Sequence, residues 1–316
     1  MQLRQLGRSD LKVAPLILGG NVFGWTADEA TSFSILDAFV DGGFNCVDTA
    51  DVYSRWAPAG GGASERVIGA WLKSSGKRDK VVLATKLGSE MGEGMKGLSA
   101  SYMVKAVEAS LTRLQTDRID LYQSHRDDPD TPQDETLEAY GRLIAAGKVR
   151  VIGSSNFEPA RLASALQISE KAGLPRYQSE QPLYNLYDRA GFESGLQQVC
   201  IDNGVGVIPY YGLASGFLTG KYRTEADLAK SPRGRGAKRY MDARGMAILA
   251  ALDAVSAELS ATPAQVALAW VMAQPGLTGP IASATSLDQL TDLMASAHLT
   301  LTPANLTTLD TASTVG

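Results

Sequence analysis

The 316-residue sequence is short of several things, and each shortage excludes a class of protein. It has only two cysteines, Cys46 and Cys200, which is too few for a disulfide framework and suits a reducing compartment. Its two histidines, His125 and His298, leave a thin ligand set for a catalytic metal. No stretch approaches the ~18 continuous apolar residues of a membrane span, and the opening MQLRQLGRSDLKV has no apolar signal core. No G-x-G-x-x-G lies between a strand and a helix, so the Rossmann phosphate loop is missing. Excess positive charge is missing too. A formal charge of -4 and a pI near 5.4 argue against nucleic acid, which needs a basic face to displace counterions. The chain reads as a cytoplasmic protein with no nucleic-acid or membrane partner.

What is present is ordinary in amount and informative in order. Hydrophobic residues make up 44% and charged residues 20%, the balance of a globular chain that buries a large core. Short apolar runs rich in β-branched residues alternate with stretches of helical period. The predicted strands are APLILGG (14–20), NCVDTA (45–50), VVLATKLG (81–88), IDLYQSH (119–125), VRVIGSSN (149–156), YQSEQPL (177–183), VGVIPYY (205–211) and GPIASAT (279–285). Between them lie helices such as SERVIGAWLKSSG, with Val67, Ile68, Trp71 and Leu72 on one stripe. Another is SASYMVKAVEASLTRLQT, with Met103, Val107, Leu111 and Leu114 on another. The serines opening both, Ser64 and Ser99, suit N-caps. Eight such units without a composition break predict an α/β fold, a single (β/α)8 TIM barrel spanning 1–316. The N-terminal MQLRQLGRSDLKV predicts a small hairpin capping the barrel bottom. Two extended loops on the C-terminal face, SRWAPAGGGAS and the basic segment after strand seven, interrupt the rhythm.

In such barrels chemistry sits beyond the C-terminal strand ends. The predicted ends carry Gly20 and Asn21, Asp48, Lys86, His125, Ser155 and Asn156, Gln181, Tyr210 and Tyr211, and Ser283. Each has a plain explanation alone: a solvated lysine, a structural histidine, an aspartate capping a turn. Different ionisable types converging on one rim are harder to explain so. A buried ammonium needs an anion, and Asp48 ends the strand next to that of Lys86. Tyr53, five residues past Asp48, would then have its phenol pulled well below its ordinary value of about 10, into the range of a usable proton donor and acceptor. A neutral His125 would offer a ring N–H to the same oxygen. Two other chemistries fit the residues. A Schiff-base lyase would use Lys86 as nucleophile, and a metal-dependent hydrolase would recruit His125, Asp127 and Asp128.

LGRSDLKVAPLILGGNVFG, DTADVY, GASERVIGAWL, VVLATKLG, DRIDLYQSHRDDP, GKVRVIGSSNF, SEQPLYNLYDR and VIPYYGLASGFLTGKY stand here in an order and spacing that resembles the aldo-keto reductase family over essentially the whole chain. The resemblance implies a catalytic set of Asp48, Tyr53, Lys86 and His125, and NAD(P)H-dependent reduction of an aldehyde or ketone, reversible to alcohol oxidation, without metal. It also implies the cofactor contacts. Ser155, Asn156 and Gln181 would bind the carboxamide with Asp48 beside them, and Tyr210 would stack on the nicotinamide. Tyr211, Gly212, Leu213, Ser215, Gly216 and Lys221 would line the pyrophosphate, and Gly20, Asn21 and Val22 the nicotinamide ribose.

One region departs from the family. Where it usually carries an arginine or lysine for the adenosine 2'-phosphate, this chain has PIASATSLDQLTDLMAS, with Ser283, Thr285, Ser286 and Gln289 as neutral donors and Leu293 in place of an asparagine. NADPH is expected from family habit and NADH is possible. Arg233 and Arg235 from the basic loop are candidates to replace the missing grip. Trp25, Trp56 and Tyr240 are candidate walls for a small-molecule carbonyl or alcohol. A cofactor-binding sensor of the same fold, as in the family's channel-associated members, is the remaining alternative. The substrate and the oligomeric state are not legible.

Overall fold

Each of the eight apolar, β-branched runs contains a strand of the barrel. The computed structural model describes residues 1–55, 57, 60–231 and 234–314; Trp56 and Arg233, singled out above, lie outside the described residues. A two-stranded antiparallel hairpin, β1 (Arg4–Gln5) and β2 (Lys12–Val13), precedes the barrel strands β3 (Ile17–Gly19), β4 (Cys46–Asp48), β5 (Val82–Leu87) and β6 (Ile119–Ser124). The remainder are β7 (Val149–Ser155), β8 (Ser179–Gln181), β9 (Gly206–Val207) and β10 (Ile281–Ala282). All eight barrel strands pair in parallel, in the order β10-β3-β4-β5-β6-β7-β8-β9. The outer strands meet where Thr278 N donates to Val207 O (2.8 Å) and Ile281 N to Pro209 O (2.9 Å), curling the sheet into a (β/α)8 fold. β9 stops at Val207 although the apolar run goes on, because Pro209 has no N–H to give a ladder.

Alternation divides the core into two layers. Leu6, Leu11 and Val13 of the hairpin region rise into the barrel bottom against Ile17, Cys46, Ala84, Leu121, Val151, Ile208 and Ile281. The opposite strand faces pack on helices. Val67, Ile68, Trp71 and Leu72 of the helix Ala63–Ser75 are buried as their stripe predicts, as are Met103, Val107, Leu111 and Leu114 of Ala100–Leu114.

Of the two capping expectations, the one for Ser99 holds in position and the one for Ser64 does not. The first helix is preceded by Gly62 in the left-handed region, and Ser64 lies in its first turn, where its hydroxyl donates to Gly20 O (2.7 Å). Ser99 does occupy the N-cap, but its side chain makes no capping bond, and Ala100 N donates instead to Glu135 Oε1 at 2.9 Å. The long segment after β9 is built of short helical turns, Ala214–Thr219, Glu225–Lys230, Gly234–Ala237 and Lys238–Tyr240, before the helix Ala243–Leu259. No single helix among the described residues is long and apolar enough to cross a membrane.

Candidate active site

The period of two that puts Ala84 in the barrel interior also puts Lys86 there, one step nearer the mouth. The same count carries Cys46 to Asp48, Leu121 to Gln123, Val151 through Gly153 to Ser155, and Ser179 to Gln181. A polar layer therefore sits on an apolar one. Gly153 is needed there, since a Cβ at that position would fall 2.2 Å from Ser179 Oγ.

Lys86 is fully buried and donates three hydrogen bonds: to Asp48 Oδ2 at 2.6 Å, to Thr49 O at 2.7 Å and to Tyr53 OH at 3.0 Å. The other Asp48 oxygen accepts from Gln123 Nε2 (3.1 Å) and Gln181 Nε2 (3.0 Å). Two buried charges thus compensate one another, and both oxygens of Asp48 accept hydrogen bonds, as so costly a burial requires. Burial by itself would lower the Lys86 ammonium. The Asp48 charge, with Tyr53 and the hydrogen bonds to both, holds it above its ordinary value. Gln123 was not singled out from sequence, although its position two residues after Leu121 on an inward face was a usable signal.

Tyr53 differs from expectation. Its phenol is raised, not lowered: burial outweighs the pull of Lys86, and the Asp48 charge opposes that pull further. The hydroxyl stays protonated at neutral pH. Because its oxygen accepts from Lys86, its own hydrogen is left to point elsewhere. His125, just past β6, packs edge-on to the Tyr53 ring with centroids 5.9 Å apart. Burial, then the charges of Lys86 and Arg126, push its imidazole well below 6.5, so it is neutral. Its Nδ1 is buried without a hydrogen-bond partner.

Across the mouth, Ser155 Oγ donates to Gln181 O (2.8 Å), and Asn156 adopts φ 58°, a left-handed conformation that asparagine tolerates. The Asn156 amide donates to Ser155 Oγ (2.9 Å) and His125 O (3.1 Å), and its oxygen accepts from Tyr210 OH (2.8 Å). Tyr211, Ala214, Ser215 and Gly216 all have positive φ, so the backbone bends sharply along this rim. A Cβ on Gly216 would come within 3.3 Å of Lys221 Nζ, so glycine lets that ammonium approach the chain. At the far end Ser283 Oγ donates to Asn21 Oδ1 (2.5 Å), and Gln289 Oε1 accepts from Thr285 N (2.9 Å).

These groups border one cleft of about 1740 Å³ that runs from Tyr53 and His125 past Asn156, Tyr210 and Gly216 to Thr285. A neutral imidazole with an orphan nitrogen, amides on one wall and a bent backbone beside a lysine suit a long, polar, phosphate-bearing cofactor such as a nicotinamide dinucleotide.

Some expected residues are not on it. Gly20 is packed against Ser64, and its N–H donates to Asp48 O (2.7 Å). Val22 is wholly in the core, and Ser286 is spent accepting from Gln289 N (3.3 Å) at a helix start. Trp25 borders the cleft, whereas Tyr240 is buried away from it, stacked on Phe217. Arg235 is exposed and does not border it. Asp292, not expected, does. Asp127 and Asp128 border the cleft, but their oxygens are taken by other partners. The first accepts from Arg161 Nε (2.6 Å) and NH2 (2.9 Å), the second from Leu98 N (2.7 Å).

A model of the Aldo/keto reductase family matches residues 15–314. The chain is 39% identical over 310 residues to "Uncharacterized oxidoreductase YrpG" of Bacillus subtilis, a match covering 95% of this chain and 92% of the relative. It is 35% identical to "Aldo-keto reductase YhdN" of the same organism over 82% of this chain and 76% of that one. It is also 32% identical to a "Probable voltage-gated potassium channel subunit beta" of Oryza sativa, over 93% of this chain and 90% of the relative.

Proposed function

The chain belongs to the aldo/keto reductase family of oxidoreductases, and from that membership we propose that it reversibly reduces an aldehyde or ketone to an alcohol with a nicotinamide dinucleotide. The observation that carries this reading is the run of contacts from Asp48 through Lys86 to Tyr53, 2.6 and 3.0 Å long, ending at the cleft beside His125. The dinucleotide, when bound, supplies or accepts the hydride at the carbonyl carbon.

Tyr53, protonated and with its hydrogen not engaged by Lys86, gives that proton to the carbonyl oxygen. Lys86 steadies the phenolate left behind, and Asp48 keeps Lys86 charged. Neutral His125 orients the carbonyl through a ring N–H. Ser155, Asn156 and Gln181 hold the carboxamide, Tyr210 covers the ring, and the bend from Tyr211 to Gly216 with Lys221 takes the pyrophosphate. We take residues 1–316 as one catalytic domain, working on a small molecule in the cytoplasm, with NADPH as the family's habitual cofactor and NADH also accepted.

Lys86 makes a poor Schiff-base nucleophile, because its three N–H protons are all engaged and its charge is stabilised. A cofactor-binding sensor of the same fold would not need the full set of proton-handling side chains. The test is loss of NADPH or NADH absorbance with a panel of aldehydes, ketones and sugars. Tyr53→Phe should keep cofactor binding and lose about 10²–10⁴-fold in turnover. Near-normal turnover in that variant removes Tyr53 from the mechanism.

A further inference from the structure

Five carboxylates are buried among the described residues, and they are not treated alike. Asp48 has Lys86, Glu65 has Arg113 at 2.6 Å, and Asp120 has Arg78 and Arg150 at 2.8 and 2.9 Å. Glu180 and Asp51 have no ion pair among the described residues. A buried acid without a cation costs stability and needs a reason to persist.

For Glu180 the surroundings supply one. Between inward-facing Ser179 and Gln181 on β8, its side chain points outward, behind the turn that follows β7. There it accepts from Ser154 Oγ and from Phe157 N at 3.3 Å, and the Asn156 backbone N–H bonds to it as well. Within this turn Ser155 and Asn156 face the cleft. Ser155 Oγ is bonded to Gln181 O, and Asn156, in its left-handed conformation, ties His125 O to Tyr210 OH. A carboxylate offers acceptors to both N–H groups at once, which a neutral side chain of the same shape does not.

We propose that Glu180 is a positioning residue for cofactor binding: its ionised carboxylate holds the Ser155–Phe157 turn in the shape that presents Ser155 and Asn156 to the dinucleotide, and protonating it loosens that grip. The inference rests on the cofactor reading above. Burial raises the Glu180 carboxyl to about 7, against the opposing bonds from Ser154 and the two backbone N–H groups. The groups facing it from neighbouring elements are Tyr177, ahead of β8, and Cys200, in the helix Leu196–Asn203; both are raised by burial and stay neutral. β9 brings only Gly206 and Val207. His125, held far below 6.5, stays neutral through the same pH range. Cofactor affinity should therefore weaken as pH falls through about 7. Folding stability should run the other way. A carboxyl raised on folding favours the protonated native state, so its contribution is full at acid pH and is lost as pH rises from the ordinary carboxyl range through about 7.

The experiment is titration of NADH and NADPH, by quenching of protein fluorescence, into the full chain and its Glu180→Gln variant from pH 6 to 8.5, with thermal melts at each pH. NADH has no monoester phosphate titrating in this window, and comparison of variant with parent cancels that of NADPH. At pH 8 the variant should bind about tenfold more weakly, equivalent to about 1.4 kcal/mol, with a flat pH profile and a Tm no lower than the parent's. A second variant, Ser154→Ala, removes one bond to the carboxylate and should shift the binding midpoint to higher pH. Parental affinity in Glu180→Gln, a retained pH dependence, or weaker binding accompanied by a lower Tm at pH 8 overturns the proposal. Failure of the parent to bind either dinucleotide at any pH overturns the functional reading instead.

Discussion

On the β4–β5 side of the barrel mouth, Asp48 is buried against an ammonium 2.6 Å away, and two glutamine amides fill its other oxygen. On the β7–β8 side, Glu180 is buried as deeply with only neutral donors around it, and its carboxyl is raised to about 7. Burial is common to both, so burial does not decide the outcome; the partner does. On the compensated side the Lys86 ammonium is held above its ordinary value and stays charged near neutrality, which suits the proton transfer proposed for Tyr53. The uncompensated side changes charge near neutrality, which suits the adjustment of a binding turn.

Breaking the compensated side should have the largest effect. Lys86→Met strands Asp48 as a buried, unpaired anion, and should cost about 3–5 kcal/mol of stability as well as turnover. Denaturant unfolding measures the first, and adding Asp48→Leu should restore part of the loss. A variant as stable as the parent would show that the pair does not compensate as described. On the other side, Asn156→Ala removes the bridge between His125 O and Tyr210 OH and places a less tolerant residue at φ 58°. It should weaken dinucleotide binding about tenfold with stability changed by about 1 kcal/mol, read by fluorescence titration and thermal melts.

The smallest effect sharpens the contrast. Asp51 is buried without an ion pair among the described residues, and burial, then the Glu65 charge, raises it to about 8. It is thus neutral at pH 7, and Asn mimics its protonated form. Asp51→Asn should match the parent's Tm near the ordinary carboxyl range and become the more stable of the two as pH rises from there through about 8, because the parent's unfolded chain releases a proton that its native state keeps. A drop in Tm at pH 6 would mean that the carboxyl itself is structurally required.

The barrel was legible because its information is local and periodic. Residues 81–88 read as a strand from their β-branched run, and alternation from Ala84 aims Lys86 inward without any knowledge of the rest. The four-residue constellation was legible from where strands end. Other features were not. Ser64 resembles an N-cap in one dimension, yet in three it reaches Gly20 O, and the left-handed Gly62 before the helix became visible only with the backbone. Val22, next to Asn21 of the cleft, faces the core, as does Tyr240. The basic segment that looked like an open loop collapses into short helical turns.

Sequence alone thus determined the family, the strand rhythm and which residue types arrive at the mouth, because periodicity and motif spacing are properties of the chain itself. Only the tertiary structure decided their charge states. Tyr53 looked like a phenol lowered by a lysine, but its ionisation depends on the sum of desolvation, Lys86 and Asp48, and that sum comes out on the side of the proton. Glu180 carries no sequence mark that separates it from Glu65. It differs because folding brings Arg113 to one and only hydroxyl and amide groups to the other. Local pattern orders the elements of a chain, whereas electrostatics acts through space and exists only once distant segments have met.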